Sequence, residues 1–232
     1  MTATAAALAK ATLRYRQKAA VVLEAWSKVV GGLPTRKAVV HALAIGELES
    51  RLGDAWPGHN WGAVQKRSLT SREAETLAAR GISPSGGDAA RKAAAAVLPA
   101  ARDELLWIDR NTKGPYFVWF WAFESDLQAA ERFLVALVKQ RAGVRAVLTA
   151  GTAEDVARAM YASHYYGGVS EDAEVNIQTY ARAIRSNAGP IEAALAGWDG
   201  SLPAGQTSRW LLVGAAAAAV ALVLVVRGGG NS

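Results

Sequence analysis

The sequence predicts a mostly α-helical domain of α+β type with one small β-hairpin, followed by a C-terminal transmembrane helix. Three observations carry this expectation. The chain between its two ends is broken at Gly31 to Pro34, Asp54 to Asn60, Gly81 to Gly87, Asn111 to Pro115 and Gly167-Gly168, leaving segments of helical length and composition. One passage, LWIDRNTKGPYFVWFWAF, sets two aromatic and apolar runs around a turn at Arg110 to Pro115, the pattern of a hairpin. From Trp210 to Val226 the chain is apolar without interruption between Arg209 and Arg227, the pattern of a membrane span.

Taken in order, Ala5 to Val30 reads as a basic amphipathic helix that stops at Gly31-Gly32 and packs on the domain in preference to anionic lipid. It does not read as a secretory signal. Lys10, Arg14, Arg16 and Lys18 lead into an apolar run of only Ala19 to Leu23 before Glu24 interrupts it. Pro34 and Thr35 then supply a stop and an N-cap ahead of a second helix from Arg36. Its Val39, Val40, Leu43, Ile45, Leu48 and Leu52 spread around most of the circumference, which predicts burial on most sides. Ala89 to Leu98 is ordinary alanine-rich helix, and Asn187 to Ser208 reads as a helix end plus a linker. The apolar run 210–226 covers roughly 25 Å as a helix, slightly short of a hydrocarbon core, so its flanking arginines would snorkel. With one arginine on each side, charge assigns no orientation. The expected organisation is therefore an N-terminal helix at 1–32, a domain at 33–186, a linker at 187–208, a membrane helix at 209–227 and a tail at 228–232.

At 232 residues the chain is long enough for one domain with a core of its own. The absence of cysteine excludes disulfides and thiolate metal sites, and His41, His59 and His164 are too scattered for a zinc-ligand spacing, so no metal or other cofactor is expected. A net charge of +6 suits an anionic partner such as a cell wall or a membrane surface. Nucleic acid is not expected, because the positive charges are dispersed and no basic stripe interleaves with aromatics.

The second helix carries two glutamates with different prospects. Glu47 stands four residues before Arg51, the spacing of a surface ion pair, whereas Glu49 lies beside Ala42 and Ile45 with no cation at that spacing. Desolvation on an apolar helix disfavours a charged carboxylate and raises its pKa towards that of a general acid. Cleavage of a glycosidic bond needs such a proton donor.

An apolar helix ending in Glu49-Ser50, a short loop, and then Gly62-Ala63-Val64-Gln65 resembles the opening motifs of lytic transglycosylases in the lysozyme-like superfamily. The later Ala-Tyr-Asn motif of those enzymes is missing. The remaining matches resemble the glucosaminidase branch: Asn60-Trp61-Gly62, then Phe120-Trp121-Ala122-Phe123-Glu124-Ser125, then Tyr161-Ala162 and Tyr165-Tyr166-Gly167-Gly168, with Tyr180 later. Together they span Val39 to Ile184. The resemblance implies a lysozyme-like peptidoglycan hydrolase that cuts between N-acetylated amino sugars. Glu49 would be its acid/base, with Ser50, Trp61, Gly62, Gln65, Glu124, Tyr161, Tyr165 and Tyr166 in substrate binding.

A second carboxylate is the usual partner of such an acid, and Asp54, Asp109, Glu124 and Glu171 are the candidates. Failing one, the resemblance allows the substrate's own acetamido group to attack the anomeric carbon. Trp61, Trp119, Trp121, Tyr165 and Tyr166 are candidate stacking surfaces for sugar, Trp61 and one of the two tyrosines first. The expected protein is membrane-anchored, with its catalytic domain facing the wall or carried on a virion. The alternatives are a catalytically silent glycan-binding or virion structural protein, and a membrane-perturbing protein.

Overall fold

A 27-residue helix, α1 (Ala3–Val29), opens the computed structural model, which describes residues 3–54, 59–111, 113–141, 143–168 and 170–200. Ala19, Val22, Ala25 and Trp26 recur at helical spacing on its inner face and are buried in the main core. Helix α1 packs on the domain, the placement preferred from sequence over anionic lipid. The described residues up to Trp198 form one compact unit, with α1 packed against the helices that follow.

The second helix, α2 (Arg36–Ser50), is the central element. Thr35 caps it as expected, its hydroxyl accepting from the Ala38 amide at 3.2 Å. Every residue from Ala38 to Gly46 is buried. The helix stops because Arg51, Leu52 and Gly53 turn left-handed in succession, with φ of 51°, 54° and 82°. Two consecutive non-glycine residues in that region are strained backbone held by its surroundings. The same turn carries Arg51 away from Glu47. Glu47 pairs instead with Arg14 of α1 at 2.9 Å, which corrects the expected helical pair.

A three-stranded antiparallel sheet follows, in the order β1-β3-β2. Strands β2 (Glu104–Asn111) and β3 (Gly114–Trp121) are the expected hairpin. The first strand, β1 (Gln65–Ser68), was not legible as one. Its sequence, QKRS, is short and polar, and it becomes a strand through tertiary ties. Arg67 bonds Glu104 of β2 and Glu73 of helix α3 (Ser71–Ala79), each at 2.8 Å. Those bonds from Arg67 hold both carboxyls down at about 2. A capping box between Thr70 and Glu73 starts α3, and α4 (Gly87–Val97) is the expected alanine-rich helix.

The two faces of the sheet have separate roles, as strand alternation requires. One face buries Leu106, Phe117 and Trp119 against Leu77, Ala94 and Leu98 in a second, smaller core. The register pairs Gln65 with Phe120, Asp109 with Tyr116 and Trp107 with Val118, so these residues share the opposite face.

The chain continues through α5 (Asp126–Leu134), a π-helical turn at Val135–Lys139, α6 (Val144–Ala150), α7 (Ala153–Ala162) and α8 (Ala173–Ala194). Helix α8 lies against α2 and α7 and sends Ile177, Ala181, Ile184 and Ile191 into the main core. It also occupies the start of the expected linker, where the Asn187 side chain donates to the Ala44 carbonyl at 3.2 Å. Among the described residues no helix is long and apolar enough to cross a membrane. The expected span at 210–226, the linker beyond residue 200 and the tail lie outside the described residues.

Candidate active site

The segment that follows Glu49 is held from below by α1. The buried Lys18 ammonium has three protons and three kinds of acceptor: the Leu52 carbonyl at 2.9 Å, Asp126 at 2.9 Å and Asp54 at 3.1 Å. Arg14 adds the Arg51 carbonyl and Asp54, each at 2.7 Å. The Trp61 indole donates to Asp126 at 3.0 Å, and His59 contacts the same carboxylate at 3.2 Å. Burial pushes the Asp126 carboxyl up, but donation from Trp61 and Lys18 outweighs it and holds the group below its ordinary value. Ser50 closes the other end of the segment, its hydroxyl donating to the Trp61 carbonyl at 2.5 Å and accepting from the Gly53 amide at 3.0 Å.

Asn60 then fixes the way into β1. Its side chain accepts from the Val64 amide at 2.8 Å and donates to the Val64 and Trp121 carbonyls, each at 3.1 Å. Gly62 sits where a side chain has no room, since a Cβ there would come 2.4 Å from the Phe133 ring and 2.9 Å from the Tyr165 hydroxyl. That close approach lets Tyr165 donate to the Gly62 carbonyl at 3.2 Å.

Above this scaffold lies a groove of about 830 Å³. Glu49 enters it from the last turn of α2. The Gly62–Gln65 segment forms one wall, the sheet face with Trp107, Asp109, Tyr116 and Phe120 another, and Arg141 with the 164–168 loop closes the third side. Burial raises the Glu49 carboxyl from 4.5 to about 7; a hydrogen bond from the Tyr180 hydroxyl opposes the rise, and the charge of Asp109 adds to it. A carboxyl poised there is matched to general acid/base work near neutral pH. Tyr180 reaches Glu49 from α8 and is stacked on Tyr166, their ring centroids 4.0 Å apart and their planes 7° from parallel. Burial and the neighbouring Glu49 charge push the Tyr180 phenol well above its ordinary value, so it remains a donor.

Of the four candidate second carboxylates, Asp109 alone lines the groove. It accepts from Gln65 at 2.6 Å, from the Tyr116 hydroxyl at 3.1 Å and from the Arg110 amide at 2.7 Å. Asp54 is taken up by Arg14 and Lys18, Glu124 pairs with Arg102, and Glu171 is exposed elsewhere.

Comparison with protein-family models, curated proteins and solved structures finds no match to this chain. The geometry of the groove therefore carries the functional reading.

Among the residues singled out by sequence, Glu49, Gly62, Gln65, Tyr165 and Tyr166 come together in the groove. Four do not. Trp61 is fully buried in the main core and offers no ring face to a sugar. Ser50 is buried under the same segment and acts on the backbone. Tyr161 packs edge-on against Tyr166, outside the groove lining. Glu124 lines a different hollow beside Trp121 and Arg132. Trp119 is buried in the second core, and Trp121 faces that other hollow, so neither serves the Glu49 groove. Trp107 and Tyr116, aromatics of the expected hairpin not singled out one by one, line the groove, and Arg141 is a groove residue that sequence reading missed. For Trp107 and Tyr116 a signal existed, since they share strand parity with Asp109 and Phe120 once the hairpin register is drawn. For Arg141, on the far side of a π-helical turn, the sequence carries none.

Proposed function

We propose that this domain cleaves the glycan strand of peptidoglycan between N-acetylated amino sugars, with Glu49 as general acid and then general base. The observation that carries the reading is a carboxyl raised to about 7 in the lining of a polar groove, hydrogen-bonded by a half-buried tyrosine. Glu49 protonates the departing glycosidic oxygen, and the resulting carboxylate then draws a proton from the incoming nucleophile. Asp109 supplies negative charge to the oxocarbenium-like transition state, while Gln65 and Tyr116 keep its oxygens oriented. Tyr165 and Tyr166 border the groove as aromatic surfaces for a sugar. The order of motifs resembling the lysozyme-like superfamily supports the same reading, and the apolar run 210–226 would anchor the domain at a membrane, beside the wall or in a virion.

The test is digestion of purified glycan strands by the full chain with Glu49→Gln alongside, products being identified by mass spectrometry. The expected result is new reducing ends, reduced by about 10²- to 10⁴-fold in the variant. Anhydro ends would reassign the reaction to a transglycosylase. No products from a folded protein would overturn the enzyme reading in favour of a glycan-binding or structural role.

A further inference from the structure

Arg141 occupies an unusual position on the groove wall. The π-helical turn Val135–Lys139 inserts one extra residue per turn, visible in the Gln140 amide donating to the Val135 carbonyl at 3.0 Å. Relative to a continuing α-helix, this rotates the following side chains by roughly 100°. Gln140 and Arg141, just past the turn, line the groove together with Ala136 of the turn itself, although the preceding helix turns its own face to the core. The Arg141 guanidinium lies over the Tyr165 ring, 4.8 Å from its centroid, and one of its terminal nitrogens donates to the Ala136 carbonyl. Its Nε is buried with no hydrogen-bond partner among the described residues.

Neither Arg141 nor its groove neighbour Arg110 forms an ion pair with a described residue. The groove's own carboxylates do not neutralise them. Glu49 is engaged by Tyr180, and Asp109 is engaged by Gln65, Tyr116 and the Arg110 amide. A guanidinium held over an aromatic ring, with donors left over at the groove wall, suits a carboxylate.

Resting on the hydrolase reading above, we propose that Arg141 is a specificity residue that binds a carboxylate carried by the sugar next to the scissile bond. In peptidoglycan every second sugar bears a lactyl ether, whose carboxyl is either free or amide-linked to a peptide with carboxylates of its own. Either source puts a carboxylate on the lactyl-bearing side of the strand. A neutral polymer of N-acetylglucosamine presents neither. On this account Arg141 sets the preference for carboxylated strands over chitin-like ones and orients the strand across Glu49.

The experiment compares the full chain with Arg141→Gln and Arg141→Lys on three substrates: chitin oligosaccharides, glycan strands stripped of peptides to expose the lactyl carboxylate, and peptide-bearing strands. Affinity and turnover are both read. The expected result is a loss of about 10- to 100-fold in kcat/KM and affinity for Arg141→Gln on one or both carboxylated strands, with chitin oligosaccharides affected less than about 2-fold. The lysine variant should recover only part of the loss, because it keeps the charge and lacks the planar fork. Loss confined to stripped strands identifies the lactyl carboxylate, and loss confined to peptide-bearing strands identifies the peptide. Equal effects on all three substrates, or none, overturn the proposal while leaving the hydrolase reading standing. Conversely, wild-type binding that depends on Arg141 without any turnover would remove the hydrolase reading and retain the carboxylate site.

Discussion

Glu49 holds its proton to about pH 7 because burial outweighs the hydrogen bond from Tyr180. For a general acid this fixes the sign of the pH dependence: kcat/KM should fall tenfold per pH unit above about 7. Tyr180→Phe removes a bond that favours the charged form, so the alkaline limb of that profile should move to higher pH, even if the maximum rate drops. An unmoved limb would show that Tyr180 does not act on the acid. Stability follows the same group. Between pH 4.5 and about 7 the unfolded chain releases this proton while the folded chain keeps it, so Glu49 lowers stability progressively across that window. The total is about 3 kcal/mol, and it should be absent in Glu49→Gln. Urea unfolding of both proteins at pH 4.5 and 8 measures it, and parallel curves would contradict the shifted carboxyl. At Gly62, alanine would meet Phe133 and the Tyr165 hydroxyl, and a loss of about 1–3 kcal/mol in thermal unfolding is expected.

At the scale of elements, the ties between α1 and the segment after α2 matter most. Lys18→Met leaves Asp126, Asp54 and the Leu52 carbonyl without their ammonium partner, beneath a backbone already strained at Arg51 and Leu52. The expected cost is about 2–4 kcal/mol by denaturant unfolding, and a cost below about 0.5 kcal/mol would show that the network adds little. The hairpin was legible because two aromatic runs flank a turn rich in Asn, Lys, Gly and Pro. Strand β1 was not, because QKRS has no apolar alternation and owes its pairing to Arg67 reaching Glu73 and Glu104. The long first helix was legible as a helix. Its role as a structural wedge, buried through Ala19, Val22, Ala25 and Trp26, depended on partners distant in sequence.

For the whole molecule, the described residues up to Trp198 form one unit with a core shared by six helices and a smaller core under the sheet. A fragment ending at Gly200 should therefore unfold cooperatively and keep any glycan-cleaving activity. A non-cooperative melt of that fragment would show that the remaining chain contributes to the fold. The sequence by itself determined the helical class, the hairpin, the capped helix α2 and Glu49 as a carboxyl raised by burial, since each rests on local pattern or on one side chain's immediate neighbours. Only the tertiary structure decided that Trp61 is core, that Asp109 shares the groove with Glu49, and that Tyr180 and Arg141 reach it from separate elements. Those facts depend on strand register, on a π-helical turn and on contacts between residues as far apart as Glu49 and Tyr180, which linear periodicity does not encode.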